Sequence, residues 1–137
     1  MKKHCPKKFV LEYIFIASPK LLFHYISTPQ GLSEWFADKV TLEDDIYHFY
    51  WEGSEQQAVI SSGSELEYIR FKWLDQEFDN YFEFKIDTSS IYNEVTLIIT
   101  DFEFEENIES AESLWDNAIN KMLRILGGKL VNKHSHF

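Results

Sequence analysis

The spacing of apolar residues changes once along this chain, and that change constrains the fold more than any other feature. From residue 39 to residue 104 apolar side chains recur at every second position, whereas from residue 108 to residue 126 they recur at every third or fourth. The first pattern predicts antiparallel β-strands with one apolar face, and the second predicts one long amphipathic helix. Because such a sheet must bury its apolar face, we expect it to curve around this helix.

Six strands are predicted in the region of period two, and one more precedes it at residues 8–16, KFVLEYIFI. The six are KVTLED, IYHFYWEG, EQQAVISS, ELEYIRFKWLD, YFEFKID and EVTLIITDFEF, with a turn at Ser89-Ser90 and Asn93 before the last. Alternation places large aromatic side chains on the inner face of the sheet. The aromatic residues expected there are Phe49, Trp51, Phe71, Trp73, Phe82 and Phe84.

The long helix is predicted to bury one stripe of side chains and to end at Gly127-Gly128. The stripe consists of Ala111, Leu114, Trp115, Ala118, Met122, Ile125 and Leu126.

Two short helices are predicted between the first and second strands. Ser18-Pro19 and Thr28-Pro29 each combine an N-cap residue with a proline at the first helical position. In the second helix Leu32, Trp35 and Phe36 recur at helical spacing. We expect Trp35 to anchor this helix against the sheet and Phe36 to lie nearer the open end.

Length and charge define the domain and exclude one class of partner. A chain of 137 residues, 45% of them hydrophobic, suits a single domain at residues 9–128, with a basic tail at residues 1–8 and a second tail at residues 129–137.

Residues 9–120 hold five basic and 23 acidic residues, a net charge of −18. Such a surface repels phosphate backbones, so we expect no nucleic-acid partner. The acidic residues either form a solvated surface or a face for a basic partner.

The cysteine content and the apolar runs indicate a cytoplasmic protein. Cys5 is the only cysteine, so no disulfide forms within the chain, which suits a reducing compartment. The apolar run near the N-terminus is interrupted by Glu12, unlike a secretory signal. No run approaches the roughly 20 apolar residues that a membrane-spanning helix needs.

The residues carry no convincing catalytic constellation, and we expect no metal and no cofactor. His134 and His136 lie close together in the sequence but lack the further ligands of a metal site. Asp101 is the one polar residue of interest. If Val95, Leu97 and Ile99 face the helix, alternation turns Asp101 inward as well, unless the strand has already ended and the carboxylate is solvated.

The aromatic side chains allow two interpretations. They either pack into an ordinary core or wall an apolar cavity between the sheet and the long helix. Tyr13, Tyr68 and Asp101 would supply the few polar groups of such a cavity. The predicted ligand-binding residues are Trp35, Phe36, Phe49, Trp51, Phe71, Trp73, Phe82, Phe84, Asp101 and Trp115.

The order of these elements resembles the START-like (SRPBCC) superfamily, whose architecture is the helix-grip fold, and most of all its group related to the activator of Hsp90 ATPase. The residues that carry the resemblance are Ala17-Ser18-Pro19, Thr28-Pro29, Leu32 and Trp35-Phe36, followed by the segments FYWEG, QQAVIS, IRFKW, EVTLIITDF and LWDNAINKMLRIL. The resemblance covers residues 9–127. One departure is Asp101, which stands where many members carry a histidine.

The resemblance implies an α+β domain, with a curved antiparallel sheet of six to seven strands around a C-terminal helix. Its members include lipid carriers, hormone receptors, cyclases and co-chaperone domains, so the fold alone does not settle the function. Our main hypothesis is a non-catalytic domain that binds a hydrophobic small molecule or lipid. The alternatives are a protein-interaction module of the co-chaperone kind and, last, a cyclase-type enzyme.

Overall fold

The computed structural model describes residues 4–74, 76–88, 94–126 and 133–136. In those residues one strand is followed by two short helices, six strands, a long helix and a last short strand. The elements are β1 (Lys7–Phe15), α1 (Pro19–Ser27), α2 (Pro29–Leu32), β2 (Lys39–Glu43), β3 (Ile46–Trp51), β4 (Ser54–Ser64), β5 (Tyr68–Trp73), β6 (Tyr81–Asp87), β7 (Val95–Glu103), α3 (Ile108–Leu126) and β8 (Lys133–His136). A 3-10 turn, Glu105–Asn107, leads into α3.

The strands form one curved antiparallel sheet in the order β2-β3-β4-β5-β6-β7-β1-β8. Strands β2 to β7 are neighbours in chain order, and β1 returns to pair with β7, with Leu11 opposite Ile99. The predicted helix-grip architecture is confirmed. The sheet has eight strands rather than six to seven, because β8 pairs with the free edge of β1.

Alternation along the strands places the large apolar side chains on the face towards α3. Phe49, Phe71 and Phe84 are completely buried, as is Ile99 on β7. Helix α3 buries a narrower stripe than predicted, consisting of Ile108, Trp115, Ile119 and Met122.

Two residues of the predicted stripe are exposed rather than buried. Leu114 is 70% exposed and Ile125 is 41% exposed. Each residue turns an α-helix by about 100°, so Leu114 points well away from the direction of Trp115. The predicted stripe had combined two neighbouring faces of the helix.

The short helices begin as predicted. The Ser18 hydroxyl accepts a hydrogen bond from the Leu21 amide at 3.0 Å, and the Thr28 hydroxyl accepts one from the Gly31 amide at 2.9 Å. Helix α2 ends at Leu32, so Trp35 and Phe36 lie in the turn that follows rather than on the helix.

The two short helices pack closely at Gly31. A Cβ atom there would lie 2.4 Å from the His24 carbonyl oxygen and 2.6 Å from the Tyr25 Cα. Only glycine lets the two backbones approach this closely.

The ends of the chain differ in detail from the predicted tails. Strand β1 begins at Lys7, inside the range predicted as a basic tail, and β8 lies inside the predicted tail at residues 129–137. The predicted helix end at Gly127-Gly128 and the turn at Ser89-Ser90 and Asn93 lie outside the described residues. Within the described ranges, no helix combines the length and the apolar character needed to cross a membrane.

Candidate functional site

A cavity of about 730 Å³ lies between α3 and the end of the sheet formed by β3, β4 and β5. A second cavity of about 380 Å³ adjoins it and shares the wall formed by Trp73, Asp101 and Trp115. The rim of the larger cavity is polar and exposed, with Asp38, Ser54 and Gln56 among its residues. Its inner wall is aromatic, so the cavity combines an apolar interior with a polar, solvent-exposed opening.

All four tryptophans of the chain line the larger cavity: Trp35, Trp51, Trp73 and Trp115. Hydrogen bonds fix three of the indoles. The Trp35 Nε1–H donates to the Tyr25 carbonyl at 2.8 Å, and the Trp51 Nε1–H donates to the Phe36 carbonyl at 3.0 Å. The Trp115 Nε1–H donates to Asp101 Oδ2 at 2.9 Å. The walls are therefore held in place by bonds as well as by packing.

Phe36 links these rings. Its centroid lies 5.1 Å from that of Phe49, 5.2 Å from Phe82 and 5.5 Å from both Trp51 and Trp115. Phe36 is partly buried, whereas Trp35 is only 2% exposed. These exposures agree with the expectation that Trp35 anchors the segment and Phe36 lies nearer the opening.

The structure brings six of the ten predicted ligand-binding residues to the larger cavity: Trp35, Phe36, Trp51, Trp73, Asp101 and Trp115. Phe82 lines the smaller one. The other three, Phe49, Phe71 and Phe84, are completely buried in the core behind the wall. Their contact with a ligand stays a prediction.

One face of α3 contributes residues to the cavity that are not among the predicted ligand-binding residues. Ala111, Leu114, Ala118 and Lys121 all line it. Their spacing of three, four and three residues places them on one side of a helix, next to the buried stripe. The helical spacing of Ala111, Leu114 and Ala118 is visible in the sequence, where the same spacing predicts a stripe that faces the core.

Asp101 faces inward and is partly buried, which decides between the two predicted positions of its carboxylate. Its Oδ1 accepts a hydrogen bond from the Phe102 amide at 2.8 Å, and its Oδ2 accepts the one from Trp115. Loss of contact with water raises the pKa of this carboxyl to about 6, although the two hydrogen bonds oppose the rise.

The two tyrosines considered as polar groups of the cavity lie elsewhere. The Tyr13 hydroxyl donates to Asp116 Oδ1 at 2.6 Å, where burial and this carboxylate raise the pKa of the phenol. The Tyr68 hydroxyl pairs with Ser62, beside a separate cavity of about 330 Å³. Asp101 is therefore the one of the three polar candidates that lies in the larger cavity.

The carboxylates near Asp101 are engaged by the backbone. Glu103 Oε1 accepts a hydrogen bond from the Phe104 amide at 2.8 Å, and Asp38 Oδ2 accepts one from the Glu52 amide at 3.0 Å. The described residues thus offer an apolar, aromatic space with two partly buried carboxylates, Asp101 and Glu103. This arrangement can hold a small molecule and orient one polar group of it.

Comparison with known proteins gives one family. The START-like superfamily domain matches residues 3–128. The solution structure of BfR322 from Bacteroides fragilis is 36% identical to this chain, covers 96% of it and 98% of that chain, and gives a TM-score of 0.62. Among proteins of curated function no sequence matches.

Two further solved structures share the fold at low identity. The Aha1 dimer from Colwellia psychrerythraea is 11% identical with a TM-score of 0.74, covering 88% of this chain and 96% of that one. PFC0360w, an HSP90 activator from Plasmodium falciparum, is 14% identical with a TM-score of 0.70, covering 90% and 99%.

Proposed function

Because the chain belongs to the START-like superfamily, we propose that it binds a hydrophobic small molecule or lipid in the cavity between the sheet and α3, without catalysing a reaction. The observation that carries this proposal is the convergence of all four tryptophans on one cavity. Ligand pockets generally measure about 300–1,000 Å³ and are mostly apolar with a few polar groups. The volume of about 730 Å³ falls in this range.

The proposal of a non-catalytic role rests on the polar groups of the cavity. General acid–base chemistry needs groups within hydrogen-bond reach of a reacting atom, and nucleophilic chemistry needs a nucleophile beside a base. Burial raises the pKa of the Asp101 carboxyl, and its two hydrogen-bond partners are donors of the protein itself. A cytoplasmic location fits the single, exposed Cys5.

Tryptophan fluorescence tests the proposal directly, since every indole borders the cavity. The probe is decyl maltoside, a neutral amphiphile, titrated below its micelle concentration. We expect a saturable change in emission, and we expect Ala118→Phe to weaken binding about tenfold or more by filling the cavity. Asn120→Phe is the matched control, because Asn120 is exposed on α3 and does not line the cavity.

Two results would overturn the proposal. One is the absence of a saturable response, together with solvent extracts of the purified protein that contain no lipid by mass spectrometry. The other is equal weakening by Ala118→Phe and Asn120→Phe, which would place the probe on the surface.

A protein-interaction role is the second candidate, and the acidic surface favours it. Residues 9–120 carry a net charge of −18, which suits a basic partner. The structural neighbours Aha1 and the HSP90 activator are compatible with this role, although their identities of 11% and 14% reflect the fold alone. A pull-down at low and high salt tests it: a specific partner is retained at low salt and released at high salt. Equal recovery in a control with an unrelated acidic protein would refute it.

A further inference from the structure

We propose that the ligand carries a cationic group, a protonated amine or a quaternary ammonium, which binds beside Asp101 where the two cavities meet. This inference rests on the proposed function and adds the chemical class of the ligand. It comes from the charge of the lining residues, the rings around Asp101 and the hydrogen bonds of its carboxylate.

The charged residues that line the larger cavity are mostly acidic. Asp38, Asp101 and Glu103 face a single basic residue, Lys121. Lys121 is exposed and lies six residues after Trp115 on α3, which is about 9 Å along the helix axis. The electrostatic potential at the inner end of the larger cavity is therefore set by Asp101 and Glu103. A negatively charged cleft with apolar walls attracts cations.

Aromatic rings line both cavities together with the Asp101 carboxylate. Trp73 and Trp115 line both cavities together with Asp101, and Phe82 joins them in the smaller cavity, its centroid 4.7 Å from that of Trp73. The face of an aromatic ring attracts a cation within about 6 Å of its centroid, most strongly for tryptophan. Rings and a carboxylate together complement an ammonium group, whereas they repel a carboxylate or phosphate ligand.

The Asp101 carboxylate can accept more hydrogen bonds than the protein donates to it. An ionised carboxylate has about four acceptor positions. The hydrogen bonds from Phe102 and Trp115 fill two of them, and both donors are neutral. Among the ion pairs of the described residues none involves Asp101. Burial without a cationic partner raises the pKa of the group, and a cation supplied by the ligand would reverse that effect.

The test compares three amphiphiles with the same alkyl chain and different head groups. Decyltrimethylammonium, decyl maltoside and decanoate are titrated into the full-length protein by calorimetry at pH 7.5, below their micelle concentrations. We expect the cation to bind about tenfold more tightly than the neutral compound, and the anion to bind most weakly.

The variant Asp101→Asn assigns the preference to one residue. We expect it to lower the affinity for the cation about tenfold while the affinity for decyl maltoside changes less than about twofold. Glu109→Gln is the matched control, because Glu109 is an exposed carboxylate on α3 outside the cavity lining. It removes the same unit of charge from a chain whose net charge is −10.

The pH dependence of the unmodified protein gives a second readout that does not depend on folding of a variant. Affinity for the cation should fall as the pH is lowered from 7.5 to 5, because Asp101 takes up a proton near pH 6. The other titratable groups that line the two cavities are Asp38, Glu77, Glu103 and Lys121. Decyl maltoside serves as the control, and its affinity should stay constant over this range.

The outcomes separate this inference from the proposed function. If decyl maltoside binds in the cavity and the cation binds no more tightly, the inference is wrong and the proposed function stands. Equal loss of cation binding in Asp101→Asn and Glu109→Gln would also overturn it, because the preference would then come from the net charge. If none of the three compounds binds, both are overturned.

Discussion

Removing the charge of Asp101 should change how the stability of the protein depends on pH. The carboxyl has a pKa of about 6 in the folded protein, compared with 3.8 for an ordinary aspartate. One pKa unit corresponds to 1.36 kcal/mol, so the gap of about two units is worth about 3 kcal/mol. Asp101 is only partly buried, so screening by the remaining solvent makes about 3 kcal/mol an upper value for this free energy.

The sign follows from the direction of the shift. The folded protein holds the proton more tightly than the unfolded chain, so the group favours folding most below pH 3.8 and loses that contribution as the pH rises through 6. About 1 kcal/mol of the change in the free energy of unfolding falls between pH 5 and pH 8. Asp101→Asn cannot titrate, so this part of the pH dependence should disappear in the variant.

The measurement is urea unfolding of both proteins at pH 5 and pH 8. The side-chain amide of the Asp101→Asn variant has one acceptor oxygen in place of two, so one of the two hydrogen bonds is lost at a cost of about 1 kcal/mol or more. This cost is the same at both pH values. At each pH we take the free energy of unfolding of the variant minus that of the unmodified protein. The quantity to compare is this difference at pH 8 minus the same difference at pH 5. We expect it to favour the variant by about 1 kcal/mol.

A result near zero would refute the reasoning, because the carboxylate would then be as well solvated in the folded protein as in the unfolded chain. Glu109→Gln provides the baseline for removal of an exposed carboxylate from the same domain. If it shows the same change as Asp101→Asn, the effect arises from the net charge and not from burial.

Three further predictions concern stability and are measured by urea unfolding at one pH. Gly31→Ala should destabilise the protein by about 2 kcal/mol, since the new Cβ would lie 2.4 Å from the His24 carbonyl oxygen; an unchanged midpoint would contradict the close packing of α1 on α2. Thr28→Ala should cost about 1 kcal/mol through loss of the N-cap, and Thr28→Ser should restore most of it. Ile119→Ala should cost about 2–5 kcal/mol, whereas Leu114→Ala should cost less than about 0.5 kcal/mol, because Ile119 is completely buried and Leu114 is 70% exposed. Equal costs for these two variants would show that the buried face of α3 is wrongly assigned.

The fold could be predicted because local patterns and the need to bury one face agree. A period of two along the strands fixed which side of the sheet holds Phe71, Phe82 and Phe84, and all three are buried. The pairs Ser18-Pro19 and Thr28-Pro29 marked the helix starts through the chemistry of the N-cap. The last strand, β8, was not predicted, since a strand of four residues has too few alternating positions to reveal itself.

The candidate site was harder to predict, because a ring in a core and a ring in a cavity wall obey the same alternation. Parity placed Phe49 and Trp51 on one face, yet Phe49 is completely buried and Trp51 lines the cavity. The difference depends on what stands opposite each ring, which is a matter of tertiary packing. For Asp101 parity gave the direction of the side chain, whereas its bond to Trp115 depends on the position of α3 against the sheet.

The cavity lies where large rings meet two small side chains of α3. The sheet, the turn before β2 and Trp115 of α3 contribute the rings, whereas Ala111 and Ala118 of α3 contribute one methyl group each. Protein interiors normally fill such space, and an unfilled volume lowers stability. An alanine side chain extends no further than its Cβ atom, so these two positions leave a volume beside the rings that larger apolar residues would fill.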